Sequence, residues 1–325
     1  MKKDRLFKAA LLSAGCIAGL HTVNRHIYRL ATVKKHLTAE ENSSFNWHGQ
    51  NIYYRVHGRG KTSVLLIHDL TPAASGREWK RVVEKLSTKY TVYAIDLPGC
   101  GRSDKPHLTY TNFYYAEAII AFIENVVCRK VHVIASGYSA SAAIAAAAYD
   151  KTKFSALTVI NPPSLEKLST GPSKKSELAR ALLQVPVLGT MVYNIIFARA
   201  RIKKIMKDRY FYNDFLLDES TVEEAYEGAH IGVADGRFLQ ASLSGRYLNF
   251  DIRRILSSLT LPFTIICSTD YAQEEKTAEE YEKVQPKAYT LKIEHVGRYP
   301  HLESAPRTLE LLFKILEADK NTSAF

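Results

Sequence analysis

Four short segments of this 325-residue chain carry residue types from which an acyl-transfer site can be assembled. Ser139 offers a hydroxyl, His68 and His301 imidazoles, and Asp69 and Asp270 carboxylates. A hydroxyl attacks effectively only when a neighbouring base removes its proton and a third group orients that base. These residues sit in turns. His68-Asp69-Leu70 follows the apolar run Val64-Leu65-Leu66-Ile67, and Ala135-Ser136-Gly137-Tyr138-Ser139 follows Val131–Ile134. Asp270 follows Phe263–Cys267, and His301 lies late in the chain within Gly297-Arg298-Tyr299-Pro300-His301-Leu302-Glu303. In an open parallel sheet, ligands bind beyond the carboxyl ends of the strands, so chemistry is expected in such turns.

The elements that hold these turns follow from periodicity. Continuous apolar runs at Val64–Ile67, Thr91–Ile95, Val131–Ile134, Leu157–Ile160 and Phe263–Cys267 read as strands buried on both faces. Phe45–Trp47 and Ile52–Val56 flank His48-Gly49-Gln50-Asn51 and read as a hairpin. Helical patterns occur near Trp79–Leu86, Phe113–Val127, Ser139–Tyr149 and Arg307–Ala318. The alternation predicts an α/β fold with a mostly parallel central sheet, covered by helices on both faces. A composition of 46% hydrophobic and 24% charged residues excludes a disordered or collagen-like chain. The four cysteines (Cys16, Cys100, Cys128 and Cys267) show no paired spacing, so neither a disulfide framework nor a zinc ribbon is expected. No metal and no cofactor is expected.

Taken in order, the motifs between about residues 44 and 318 resemble the α/β-hydrolase superfamily. The resemblance implies a core over residues 44–164 and 259–325 and a helical lid inserted over residues 165–258. It also implies a nucleophile on a sharp strand-to-helix elbow, followed by an acid and then a base in chain order. The elbow needs small residues two before and two after the nucleophile. Two registers meet that rule: Gly137 between Ala135 and Ser139, or Ser139 between Gly137 and Ser141. The family's strand and elbow lengths fit Gly137 without a gap, which leaves the elbow without a nucleophilic oxygen. The family's base follows a glycine in the late motif, and here Arg298 follows Gly297. A guanidinium stays protonated near neutral pH and is no general base. Asp270 takes the acid position, where it is expected to pair with Arg298. His68, Asp69, Leu70 and Tyr138 fall around the oxyanion pocket, and Asp69 stands where the family has glycine. The reading is therefore an esterase-like fold with a degenerate triad at Gly137 and Arg298, binding a small-molecule or lipid-like ligand or a partner. The alternative is a working ester or amide hydrolase that uses Ser139, Asp270 and His301.

The formal charge of +11 is segregated along the chain. Residues 1–37 net +7, residues 38–169 net +4, residues 170–209 net +7, and residues 210–325 net −7. Ile17, Leu20, Val23, Ile27, Leu30, Val33 and Leu37 recur at helical spacing, with Arg25, Arg29, Lys34 and Lys35 largely off that stripe. The uncharged run Ala9–Leu20 is shorter than the ~20 residues a spanning helix needs. Residues 1–43 are thus read as a basic amphipathic helix that ties the protein to an anionic membrane surface, with the remainder cytoplasmic. A helix docked on the domain and a cleaved signal are the alternatives. In the lid, the apolar stretch 182–197 precedes Arg199, Arg201, Lys203, Lys204 and Lys207. If both basic segments share one surface, neutralising Lys203, Lys204 and Lys207 weakens vesicle binding. No nucleic-acid partner is expected, because no aromatic-interleaved or zinc framework accompanies the charge.

Overall fold

The computed structural model describes residues 2–37 and 43–322. It contains one eight-stranded sheet in the order β1-β2-β4-β3-β5-β6-β7-β8. The strands are β1 (Ser43–Trp47), β2 (Gln50–His57), β3 (Ser63–Ile67), β4 (Thr91–Ile95), β5 (Val131–Ser136), β6 (Phe154–Ile160), β7 (Phe263–Ser268) and β8 (Tyr289–Ile293). The first two pair antiparallel, as does β2 with β4, and every other pairing is parallel. The α/β class and the mostly parallel sheet read from the sequence are what the chain adopts.

The sheet is buried on both faces because its central strands carry apolar side chains at every position. On β3, Leu65 and Ile67 join a core with Val133 and Ala135 of β5, while Val64 and Leu66 join the opposite core with Ile134. That two-residue alternation is the strand period expressed twice, once per face. The first face is covered by α3 (Asn112–Phe122), α4 (Ser139–Tyr149) and α12 (Ala272–Val284); the second is covered by α2 (Lys80–Leu86) and α14 (Ala305–Thr322).

Between β6 and β7 the chain leaves the sheet for seven helices: α5 (Leu165–Ser169), α6 (Lys174–Gln184), α7 (Leu188–Ile196), α8 (Arg199–Ile205), α9 (Glu219–His230), α10 (Gly236–Ser244) and α11 (Arg253–Ser257). A short α13 (Pro300–Glu303) follows β8. The amino-terminal helix α1 (Lys2–Thr32) meets this insert along its second half. Asn24 donates to Val187 O (3.2 Å) and accepts from Asn194 Nδ2 (2.9 Å), and the Tyr28 hydroxyl donates to Asn194 Oδ1 (2.9 Å). Tyr28 and Ala31 are buried there, whereas Leu11, Ile17, Val23, Leu30 and Val33 are exposed.

The basic run of the insert is matched by acids from the chain that follows it. Arg199 pairs with Glu219 and Glu223, Lys203 with Glu219, Lys204 with Asp208, and Lys207 with Asp214. Charge that is segregated in sequence is interleaved in space.

Candidate functional site

The site lies at the carboxyl end of the sheet, where β5 turns into α4. Ser136 ends the strand, Ser139 begins the helix, and Gly137 between them has φ +56° and donates its N–H to Ile160 O (3.0 Å). This left-handed turn costs glycine little and strains most other residues. Ser139 is fully buried at the first helical position, and its hydroxyl donates back to Ser136 O (2.8 Å).

Asp69 fills the space in front of Gly137. A Cβ at Gly137 would come within 2.6 Å of Asp69 Cγ and both its carboxyl oxygens. Asp69 Oδ1 accepts from the N–H of Leu70 and of Tyr138, each at 2.7 Å, and Oδ2 accepts from the Tyr299 hydroxyl (3.2 Å). A pair of N–H groups facing an elbow is the device that holds a developing oxyanion in acyl transfer. Here one carboxylate oxygen occupies both donors. A single side chain thus fills the space in front of Gly137 and accepts from both N–H groups.

Burial drives the Asp69 carboxyl pKa up. The Arg298 charge and the N–H bonds from Tyr138 and Leu70 pull it back only partly, and the nearby Glu78 adds to the rise. A carboxyl with a raised folded pKa favours folding below the unfolded value, near 4, and loses that contribution as pH rises through the folded one. Asp69→Asn keeps an acceptor for both N–H groups and removes the charge. It is expected to stabilise the protein by roughly 1 kcal/mol at pH 8, with the gain vanishing near pH 4. Urea denaturation at the two pH values checks this, and a pH-independent difference would refute it.

The remaining predicted residues make their contacts elsewhere. His68 is fully buried: Nε2 accepts from Leu97 N (2.9 Å), so Nδ1, 2.6 Å from Asp69 O, carries the proton. His301 is also fully buried. Its Nε2 lies 2.9 Å from Glu78 Oε1, and its ring stacks on Trp79 at 4.2 Å between centroids. Glu78 in turn accepts from Asp69 N through Oε2 (3.0 Å). Asp270 accepts from the His295 backbone N–H, with His295 Nδ1 3.4 Å from its other oxygen. Ser139, His301 and Asp270 are thus each committed to a different partner.

One expectation is corrected. Arg298 does not pair with Asp270; its Nε lies 3.2 Å from Glu274 Oε1, and its Nη2 donates to Asn161 O (3.4 Å). The reason is local, because Asp270 is held by His295 while Glu274, one turn further into the next helix, is buried beside the guanidinium. Burial raises the Glu274 pKa, opposed by Arg298 and reinforced by Asp69.

Several residues that shape the site escape motif reasoning. Asn161 fastens the ends of β6 and β7 and the late loop together: it donates to Ser268 Oγ (2.9 Å) and Arg298 O (2.9 Å) and accepts from Ser268 N (2.9 Å). Glu303 accepts from Gly297 N and from Tyr212 N (3.0 Å) and Asn213 N (2.6 Å), bracing the late loop against the lid. Gly297 is required there, since Tyr210 O occupies the place of a Cβ. The signal for Glu274 was present as its i+4 spacing from Asp270. Tyr299 had none beyond its adjacency to Arg298. A mainly apolar cavity of about 170 Å³ lies beneath the helical insert, bounded by Phe197, Ile202, Met206 and Leu302 and also by the charged Arg77, Glu78 and Glu224. Among the described residues, no group of histidines, cysteines and carboxylates could hold a metal ion.

A family model described as "Alpha/beta hydrolase family" matches residues 56–311. Among curated proteins, an "Uncharacterized protein" of Mycobacterium tuberculosis is 32% identical over 98 residues, covering 30% of this chain and 27% of its own. The "Pimeloyl-[acyl-carrier protein] methyl ester esterase" of Proteus mirabilis is 35% identical over 52 residues, 16% of this chain and 19% of its own. The chain thus spans only about a quarter of the length of the first curated relatives it matches. Among solved structures, a serine hydrolase involved in carbazole degradation superposes with TM-score 0.70 at 18% identity, covering 86% of this chain and all of its own. A membrane phospholipase A, described as a bacterial virulence factor, gives TM-score 0.68 at 22% identity, covering 99% of this chain and all of its own.

Proposed function

The chain belongs to the alpha/beta hydrolase family, and from that premise we propose that it keeps the family's site as a membrane-associated binding pocket whose serine-hydrolase chemistry is impaired. The observation that carries this reading is the Asp69 carboxylate, which takes both oxyanion donors and the room a nucleophilic side chain would need. Negative charge fixed in that position opposes a second, developing one. Arg298 at the base position adds an independent defect, because a guanidinium does not accept a proton near neutral pH. The competing reading, an ester or amide hydrolase using Ser139, Asp270 and His301, draws on the hydrolase names of the similar structures rather than on the contacts of those three residues.

A fluorophosphonate probe followed by peptide mass spectrometry separates the two. The expected result is no adduct on any serine and no turnover of p-nitrophenyl esters above that of an Arg298→Ala control. Stoichiometric labelling of Ser139 that is abolished by Ser139→Ala would overturn the proposal.

The lipid-like character of the ligand rests on the apolar cavity under the lid. Membrane association rests on apolar surface that stays exposed among the described residues. Leu182, Val185, Leu188, Met191 and Ile195 are exposed at the corner between α6 and α7, and α1 adds Leu11 and Ile17. The two lid helices meet at 106°, and no single helix among the described residues is long and apolar enough to cross a membrane. In this reading the attachment lies on the bilayer surface, with these apolar side chains entering the interface. That the similar structure covering 99% of this chain is described as a membrane phospholipase A is in keeping with membrane association. Leu188→Asp with Ile195→Asp is expected to lower binding to anionic vesicles by about tenfold in sedimentation. Neutralising Lys203, Lys204 and Lys207 changes it little, since those charges are already paired. Equal binding by wild type and the double Asp variant would remove the lid corner from the interface.

A further inference from the structure

The cleft over the elbow gathers three cations, Lys167, Arg246 and Arg298, against two lining carboxylates, Glu166 and Glu274. It consists of two adjoining hollows of about 390 and 350 Å³ that share Lys167, Thr170 and Arg246. Arg298 and Glu274 line the first hollow and Tyr138 the second. The Lys167 ammonium lies 4.6 Å over the Tyr138 ring, directly beside the elbow. Arg298 alone of these cations is paired with a carboxylate. Lys167 and Arg246 have no ion pair among the described residues, nor does the nearby Arg209. Burial and the charges of Arg298 and Arg209 push the Lys167 pKa down, although Asp69 and Glu274 oppose this, so the positive charges act on one another.

Arg246 supplies a second observation. Its φ is +64°, a region that bulky residues enter only at a cost. It is held there between its own N–H bond to Leu243 O (3.1 Å) and the bond from Asn249 N to its carbonyl (3.2 Å). Glycine would make this turn without strain. The chain instead keeps a guanidinium there, at the mouth of a cleft that already holds two other cations.

We propose that this cleft binds a phosphoryl group, with the Lys167 ammonium and the Arg246 and Arg298 guanidiniums around its oxygens. A phosphoryl group presents enough oxygens for all three cations and enough charge to relieve their repulsion. A lone carboxylate would engage one guanidinium fork. The position, at the carboxyl ends of β5 and β6, is where this kind of sheet receives ligands. The proposal rests on the ligand-binding reading above and names the class of group that is recognised.

The test is calorimetric titration of the full chain with inorganic phosphate, with chloride exchanged to hold ionic strength constant. Saturable binding at one site is expected. Arg246→Gly is expected to weaken it about tenfold, the loss of a charge-assisted contact, while leaving the thermal midpoint unchanged or higher because glycine fits the turn. Asp69→Asn is expected to tighten binding about threefold by removing a nearby negative charge. A water-soluble dihexanoyl phosphatidic acid distinguishes the sources. Binding tighter than inorganic phosphate identifies a lipid headgroup and equal binding a free phosphate ester, and either supports the site. Heat indistinguishable from a chloride titration, or wild-type affinity in Arg246→Gly, would overturn it. Failure here with no fluorophosphonate labelling removes only the phosphoryl site, whereas labelling of Ser139 removes the non-catalytic reading whatever phosphate does.

Discussion

Gly137→Ser is expected to destabilise the protein by about 2–4 kcal/mol and to bring no ester hydrolysis. The new Cβ would meet the Asp69 carboxyl group, which is buried and tied by three hydrogen bonds, so neither side can yield cheaply. Asp69→Gly empties that space and frees the N–H groups of Leu70 and Tyr138. The double variant Gly137→Ser with Asp69→Gly is therefore expected to be more stable than the sum of the two changes by about 1–3 kcal/mol. Denaturant unfolding of the four proteins in the cycle measures the coupling directly. Additivity would mean that Asp69 does not occupy the nucleophile's space. Even the double variant still lacks a base, so hydrolysis is expected only when Arg298→His is added.

The second large effect centres on Glu78. Glu78→Ala leaves His301 buried against Trp79 without its carboxylate and leaves the Asp69 N–H without an acceptor; the expected cost is about 3–5 kcal/mol. Glu78→Gln keeps the N–H contact and is expected to cost about half as much. Burial pushes the Glu78 pKa up, but the hydrogen bond and charge of His301 and the Asp69 N–H together carry it below its ordinary value. A carboxylate lowered in this way stabilises the fold above the unfolded pKa, near 4.3, and that contribution fades as pH falls through the folded value. The gap between wild type and Glu78→Gln should therefore narrow in acid. A gap below about 1 kcal/mol at pH 7, or one that widens in acid, would sink this account of the network.

The strands of the central sheet were legible because burial on both faces leaves an uninterrupted apolar signature, as at Val64–Ile67 and Val131–Ile134. The strand Tyr289–Ile293 was not read, since as an edge strand it is half exposed and mixes Lys292 with its apolar residues. The helix Ala272–Val284 is hidden for a similar reason: Lys276, Glu279, Glu282 and Lys283 dominate its exposed face and leave only a weak apolar stripe. At the site, the resemblance to the α/β-hydrolase superfamily singles out Gly137, Arg298 and Asp69, yet no linear pattern tells which way a carboxylate turns. That Asp69 folds back onto Leu70 N and Tyr138 N depends on residues 69 positions apart. The exchange of Asp270 for Glu274 as the Arg298 partner likewise turns on one helical turn of reach, which sequence position leaves undetermined.

The hydrogen bonds joining Asn24 and Tyr28 to Val187 and Asn194 make the helical insert beside the apolar cavity a passenger of the amino-terminal helix. Any outward swing of the helix Leu188–Ile196 must either break these partly or fully buried bonds or carry the docked half of α1 with it. A pull on one end of the molecule is thereby delivered to the helices beside that cavity, and the load crosses a few side-chain amides and one phenol.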